Sequence, residues 1–365
     1  MLLTLVVASL GCSSTQPLAS EPGLRVEAAG RLVDAVSGHP IAQATIRVGR
    51  TSLHTTSDST GAFILPDLPL GRYDVMVSAP AYGTSLHVLM VSAEGVVSDT
   101  VFRLPRPQPT DDAVSAGEGE ALRIFERLYL GSPRFRECTL TNPDAVGFTG
   151  EKRERAEVIR VAASEPLVVE NRWLGYRVRV AVRGMVLIRR RGGFTVRHDN
   201  VAAFEDLTPD DEEERERWRK NRRAAYRGSL QHFLAALAAG RAGKEGFRVY
   251  AGSVEENAMT LGTLSSRTVA VEVDPHLYVS PAVYAFARIL HFPEEWRITF
   301  PSSVYDEDTE FQGIRMGDQT SWMRLRDGVA PFTERGELFD SYRARLAGYW
   351  AVRRVCQMLS HSYQP

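Results

Sequence analysis

The densest cluster of chemically active side chains is the run WRKNRRAAYRGS, Trp218 to Ser229. Arg219, Lys220, Arg222, Arg223 and Arg227 surround Trp218, Asn221 and Tyr226. Long cations beside aromatic faces can grip a sugar or a phosphate, and cation–π contacts can hold the geometry. Trp218, Arg219, Arg222, Arg223 and Tyr226 therefore form the candidate binding set. The same residues have a competing structural role. Trp218 and Tyr226 can pack on a sheet while the arginines pair with the acidic run DDEEERE one turn earlier. Other groups offer less. Ser229 has no base at helical spacing, so it is not expected to act as a nucleophile. His232 has no acidic partner three or four residues on. His198 and Asp199 are adjacent, so on a strand they point to opposite faces, and a turn is the expected setting. Glu165 and Glu170 lie five apart and also face opposite sides of a strand, which does not suit paired-carboxylate glycoside chemistry. The basic run IRRRGG, Ile188 to Gly193, suits a hairpin tip protected against edge pairing.

His291 and Glu294 have His-x-x-Glu spacing. Zinc there would need a third protein ligand and a water. The only later histidine is His361, about 70 residues on, and Pro293 reads as a turn before a strand. No metal site and no cofactor is expected. The chain has 365 residues, 44% of them hydrophobic, which allows two or three cores. Its formal net charge of -1 provides no field for nucleic acid or an acidic membrane surface. Three cysteines are present: Cys12, Cys138 and Cys356.

These groups must be positioned by the elements around them. From Leu24 to Leu104, short alternating segments are separated by turn signals every 8–12 residues, as in a small antiparallel sandwich. Asp58-Ser59-Thr60-Gly61 reads as a hairpin turn, and Tyr73, Val75 and Val77 share one face. Residues 106–120 carry Pro, Gly and acidic groups without apolar periodicity and read as a linker. Residues 121–365 read as an α+β domain. A long helix is expected from Thr208 as N-cap and Pro209 at the first helical position to Gly240. A final helix is expected within ELFDSYRARLAGYWAVRRVCQML.

Three resemblances add to this. LLTLVVASLGCSS, ending in Leu10-Gly11-Cys12, resembles the lipobox of bacterial lipoproteins. That resemblance implies a signal peptide over 1–12, lipid on Cys12, a tether over 13–23 and, with Ser13 next, the outer membrane. After export, Cys138 and Cys356 would be the remaining thiols in an oxidising space. They would form one disulfide or stay as two separate buried thiols. Next, GRLVDAVSGHPIAQATIRV and TTSDSTGAFILPDLPLGRYDVMVSAPAYG resemble the carboxypeptidase regulatory-like domain. That implies a transthyretin-like (prealbumin-like) β-sandwich over 24–105, a folding or docking accessory without catalytic residues of its own. The metallocarboxypeptidases that carry such a domain place it after the catalytic unit, whereas here it comes first. Finally, SEPLVVENRWLGYRVRV, WRKNRRAAYRGSLQHFLAAL and LAGYWAVRRVCQMLSHSYQP resemble blocks of Gram-negative envelope lipoproteins with the same domain at their front. The expectation is a lipid-anchored, non-enzymatic binding or assembly protein of the cell envelope, engaging an envelope glycan or an outer-membrane protein. The alternative is a hydrolase whose site forms only in three dimensions in the second half.

Overall fold

The computed structural model describes residues 24–93, 95–96, 100–106, 115–116, 119–131, 137–153, 156–190, 193–252, 270–301, 310–311, 314–315, 318–352, 354–361 and 363. Cys12, the expected signal segment and the expected tether lie outside the described residues.

The first unit contains β1 (Arg25–Asp34), β2 (Thr45–Val48), β3 (His54–Thr56), β4 (Ala62–Pro69), β5 (Gly71–Ala79), β6 (Gly83–Ser92), β7 (Gly95–Val96) and β8 (Val101–Leu104). They form two sheets, β4-β1-β8 and β3-β2-β5-β6-β7. Alternate residues of both sheets fill one core, including Leu32, Ile46, Phe63, Val75, Val77 and Phe102. The expected turn is present. Asp58 Oδ1 accepts hydrogen bonds from the N–H groups of Thr60 and Ala62 and from the Thr60 hydroxyl. Gly61 adopts φ +76°, and a Cβ there would lie 2.4 Å from the Leu32 carbonyl oxygen. The end of β1 is tied in similarly. Asp34 accepts from two backbone N–H groups and from the Tyr82 hydroxyl at 2.7 Å, so its carboxyl lies far below the usual range. The sandwich departs from a wholly antiparallel one, because β8 runs parallel to β1.

The second unit contains β9 (Ser115–Ala116), α1 (Glu120–Tyr129), β10 (Cys138–Leu140), β11 (Val146–Arg153), β12 (Ala156–Ala163), β13 (Leu167–Asn171), β14 (Tyr176–Arg190) and β15 (Gly193–Asp206). These strands make one seven-stranded sheet. On one edge β14 pairs first with β13 and then with β12; on the other it pairs with β15. His198 stands opposite Met185 within that last ladder, so it is a strand residue and not the turn residue expected. Residues 115–116, expected as linker, pair with β11.

The expected long helix is two helices, α2 (Glu212–Tyr226) and α3 (Leu230–Ala238). Asp211, not Thr208, caps the first, accepting from the Glu214 N–H at 2.7 Å. The break is local chemistry. Gly228 takes φ +68°, and the Ser229 hydroxyl accepts from the His232 N–H at 3.0 Å, which caps the second helix.

The third unit follows with β16 (Arg248–Ala251), β17 (Val271–Val273), β18 (Val279–Pro281), β19 (Ala287–His291), β20 (Trp296–Phe300), β21 (Glu310–Phe311), β22 (Ile314–Arg315), β23 (Gln319–Leu325), β24 (Val329–Thr333), β25 (Ala344–Gly348) and the single turn α4 (Tyr349–Val352). A five-stranded sheet, a three-stranded sheet and α3 enclose a second core of Phe233, Phe247, Trp296, Ile298, Phe332 and Trp350. The segment expected as a final helix holds instead a five-residue strand, β25, between short turns, and its only α-helical residues among those described are the single turn α4. β25 pairs along β23, with Leu346 opposite Met323, and Gly348 adopts φ +67°, where a Cβ would lie 2.4 Å from the Thr320 carbonyl oxygen. Sheet pairing overrides the helix pattern there.

After α4 the chain returns to the second unit. Val355, Cys356 and Leu359 enter the core built by α1 and the seven-stranded sheet. Cys356 is bonded to Cys138, with Cα atoms 6.0 Å apart and a sequence separation of 218. Residues 121–365 therefore hold two cores, and the third unit is an insertion in the second. No helix among the described residues is long and apolar enough to cross a membrane.

Candidate functional site

The candidate binding set on α2 holds the helix in place. Trp218 is 4% exposed, and its indole N–H donates to the Arg172 carbonyl at 2.6 Å. Arg222 lies 3.9 Å over the Tyr176 ring and donates to the carbonyls of Leu174 and Gly175 and to Asp206. Tyr226 is half-buried against His232 and Tyr363. Arg219 is exposed and pairs with Glu216 one turn earlier; Arg223 is also exposed. The aromatic members point inward, so the set does not form an open binding face. Arg222→Met should lower stability by about 1–2 kcal/mol, from the lost stacking and hydrogen bonds. Its urea midpoint measures this.

The other sequence candidates separate. His232 does have an acidic partner, Glu245, 2.7 Å from Nε2 and too distant in sequence for a helical pattern to reveal. Its Nδ1 accepts from the Gly228 N–H, so both ring nitrogens are engaged, among Tyr226, Phe247 and Phe300. Burial holds its pKa low. His291 bonds Ser280 Oγ at 2.8 Å. Glu165 accepts from Asn142, and Glu170 faces Arg177. Among the described residues no three His, Cys, Asp or Glu side chains are placed to share a metal.

What the structure does assemble is a junction of all three units around the turn between β2 and β3. Arg50 sits at its tip with φ +60°. Its N–H donates to the Ala202 carbonyl at 2.6 Å, and the Phe204 N–H donates to the Thr51 carbonyl at 2.8 Å. From the other side, the His361 N–H donates to the Arg50 carbonyl at 2.6 Å. Met76 packs with Ala181 and Val201 nearby, and Arg183 reaches Asp74 at 3.0 Å. The sandwich is thus bound to β15 and to the C-terminal return by main-chain hydrogen bonds, and not only through a linker.

Charged groups fill the seam. Arg50 donates through Nε to His361 Nε2 at 3.4 Å and through Nη2 to Gln231 Oε1 at 3.3 Å. His361 has a side chain 3% exposed, with Nδ1 3.5 Å from Glu337. Burial, then Arg50 and Arg335, keep its pKa well below the usual imidazole range. A neutral ring that accepts at Nε2 carries its proton on Nδ1, facing Glu337. Glu337 is pushed up to about 7 by burial, against the pull of Arg50. Arg335 donates to the Tyr73 hydroxyl at 2.6 Å. Beside this network opens a cleft of about 160 Å³, lined by Arg50, Leu230, Gln231, Leu346, Trp350 and Arg354 among others. Sequence reasoning missed this cleft. Its walls come from positions near 50, 230 and 350, and no local spacing links them.

No curated protein matches the sequence. Two solved structures are similar at low level. One is a putative carbohydrate binding protein from Bacteroides uniformis, at 11% identity and TM-score 0.17, covering 50% of this chain and 99% of that one. The other is a 9R-lipoxygenase from Cyanothece, at 9% identity and TM-score 0.17, covering 62% of this chain and 50% of that one. The family model that matches covers residues 28–105, the first sandwich, with its Asp58–Gly61 turn and the Asp34–Tyr82 tie. That part of the chain is a carboxypeptidase regulatory-like domain.

Proposed function

We propose that this chain is a lipid-anchored cell-envelope protein that holds a ligand or partner without transforming it. The bond between Cys138 and Cys356 carries this reading. Disulfides persist in oxidising compartments and are rare in a reducing cytosol. The regulatory-like sandwich, a non-catalytic module, supports the binding part. So does the setting of His232, whose ring has no lone pair left for a substrate. Cys12 is the anchor, and the macromolecule engaged is an envelope glycan or an outer-membrane protein. No observation favours the hydrolase alternative over this reading.

Metabolic labelling with a palmitate analogue should tag the wild type and leave Cys12→Ala untagged. The untagged variant should also move from the membrane to the soluble envelope fraction. Equal labelling of both forms, or wild-type protein in the cytosol, would contradict the proposal.

A further inference from the structure

Arg50 is an unusual residue for its position. A turn residue at φ +60° suits Gly or Asn, and other side chains pay for that backbone in steric strain. Here the position carries the longest cation available. Main-chain bonds to Ala202 and from His361 fix its backbone on both sides. The guanidinium itself is weakly matched. Its two side-chain hydrogen bonds are long and go to neutral partners, His361 and Gln231. Its acidic neighbour is Glu337, which lies 3.5 Å from the His361 ring and forms no ion pair with Arg50 within 4.0 Å. Arg354 lines the same cleft. Burial depresses the pKa of Arg50, against the opposing pull of Glu337. Among the described residues no Asp or Glu lines the cleft, and Leu230, Leu346, Trp350 and Met358 give it apolar walls. Cations in an apolar setting are costly unless an anion meets them.

We propose that this cleft is a binding site for a small apolar carboxylate, whose acid group meets Arg50 and whose ring or short chain packs on Leu346 and Trp350. The volume sets the size. A cavity of about 150 Å³ holds a benzene ring, and the cleft measures about 160 Å³. A ligand of roughly six to nine heavy atoms therefore fits within it. The site is thus separate from the macromolecular docking proposed above, and it does not depend on the anchor.

The test is isothermal titration calorimetry on the folded protein with its disulfide intact. Benzoate is the probe, and benzamide is its neutral counterpart of the same shape. Benzoate should bind saturably and roughly tenfold or more tightly than benzamide, as expected for a buried charge-assisted contact. Arg50→Gln should erase that preference. Leu346→Trp, which fills the cleft, should abolish binding of both, while Arg219→Gln on the exposed face of α2 should change nothing. If Arg50→Gln does not fold, the comparison of benzoate with benzamide and the Leu346→Trp variant still decide. Equal binding of the two probes, no saturable binding by wild type, or full binding by Leu346→Trp would overturn the proposal.

Discussion

Replacing both Cys138 and Cys356 by alanine should lower unfolding stability by about 5 kcal/mol. The cross-link spans 218 residues. The chain-entropy relation puts the effect of a loop that long at about 5 kcal/mol. Both sulfurs sit in the core of the second unit, and the Asn171 amide donates to the Cys356 carbonyl at 2.8 Å, so the bond fastens the C-terminal return where it packs. Urea midpoints of wild type and double variant measure the loss. Mass spectrometry before and after reduction shows whether the two thiols are joined in the purified protein. Equal midpoints in a protein shown to be oxidised would mean the unfolded chain is already compact, and the entropic account would fail.

The second large effect depends on pH. Glu337 faces Arg50, Arg335, Arg72, Asp74 and His361, and burial lifts its pKa from 4.5 to about 7. A carboxyl raised on folding favours the protonated, low-pH form. Its contribution is fully present below pH 4.5 and is lost as pH rises to about 7. At roughly 1.4 kcal/mol per pH unit, the span is at most about 3 kcal/mol. His361 acts in the opposite direction. Its lowered pKa gives a contribution present above pH 6.5 and lost on acidification. Glu337→Gln removes only the first of these. The stability of the variant relative to wild type should therefore rise by up to about 3 kcal/mol between pH 4.5 and pH 8. Urea unfolding at those two pH values reads the difference directly, whatever the substitution costs at a single pH. An unchanged difference would show that Glu337 stays ionised throughout.

The first sandwich was legible because its information is local. Asp58 and Gly61 define a turn within four residues, and the alternation of Tyr73, Val75 and Val77 defines a buried face. The parallel pairing of β1 with β8 was not legible, since nothing in either strand names a partner 70 residues away. The long helix was half legible. Its apolar stripe is clear in the sequence, but Gly228-Ser229 lies within that stripe and is a stop followed by a cap. The expected final helix does not form because the helical apolar spacing over 337–359 coexists with a strand that only β23 can select. Trp218 and Tyr226 pack inward, Trp218 on the Arg172 carbonyl and Tyr226 against Tyr363. Arg50, Gln231 and His361 gave no sequence signal, because their relation exists only once three cores have met.

The return of residues 355–359 to a core begun near residue 125 has a consequence for biosynthesis. A chain delivered from its N-terminus cannot finish its middle body until the whole insert has emerged. The first sandwich can condense early, and the insert can condense next. The middle sheet must wait with an open flank, and that waiting intermediate is the form most exposed to proteases and to mispairing of its one unbonded thiol.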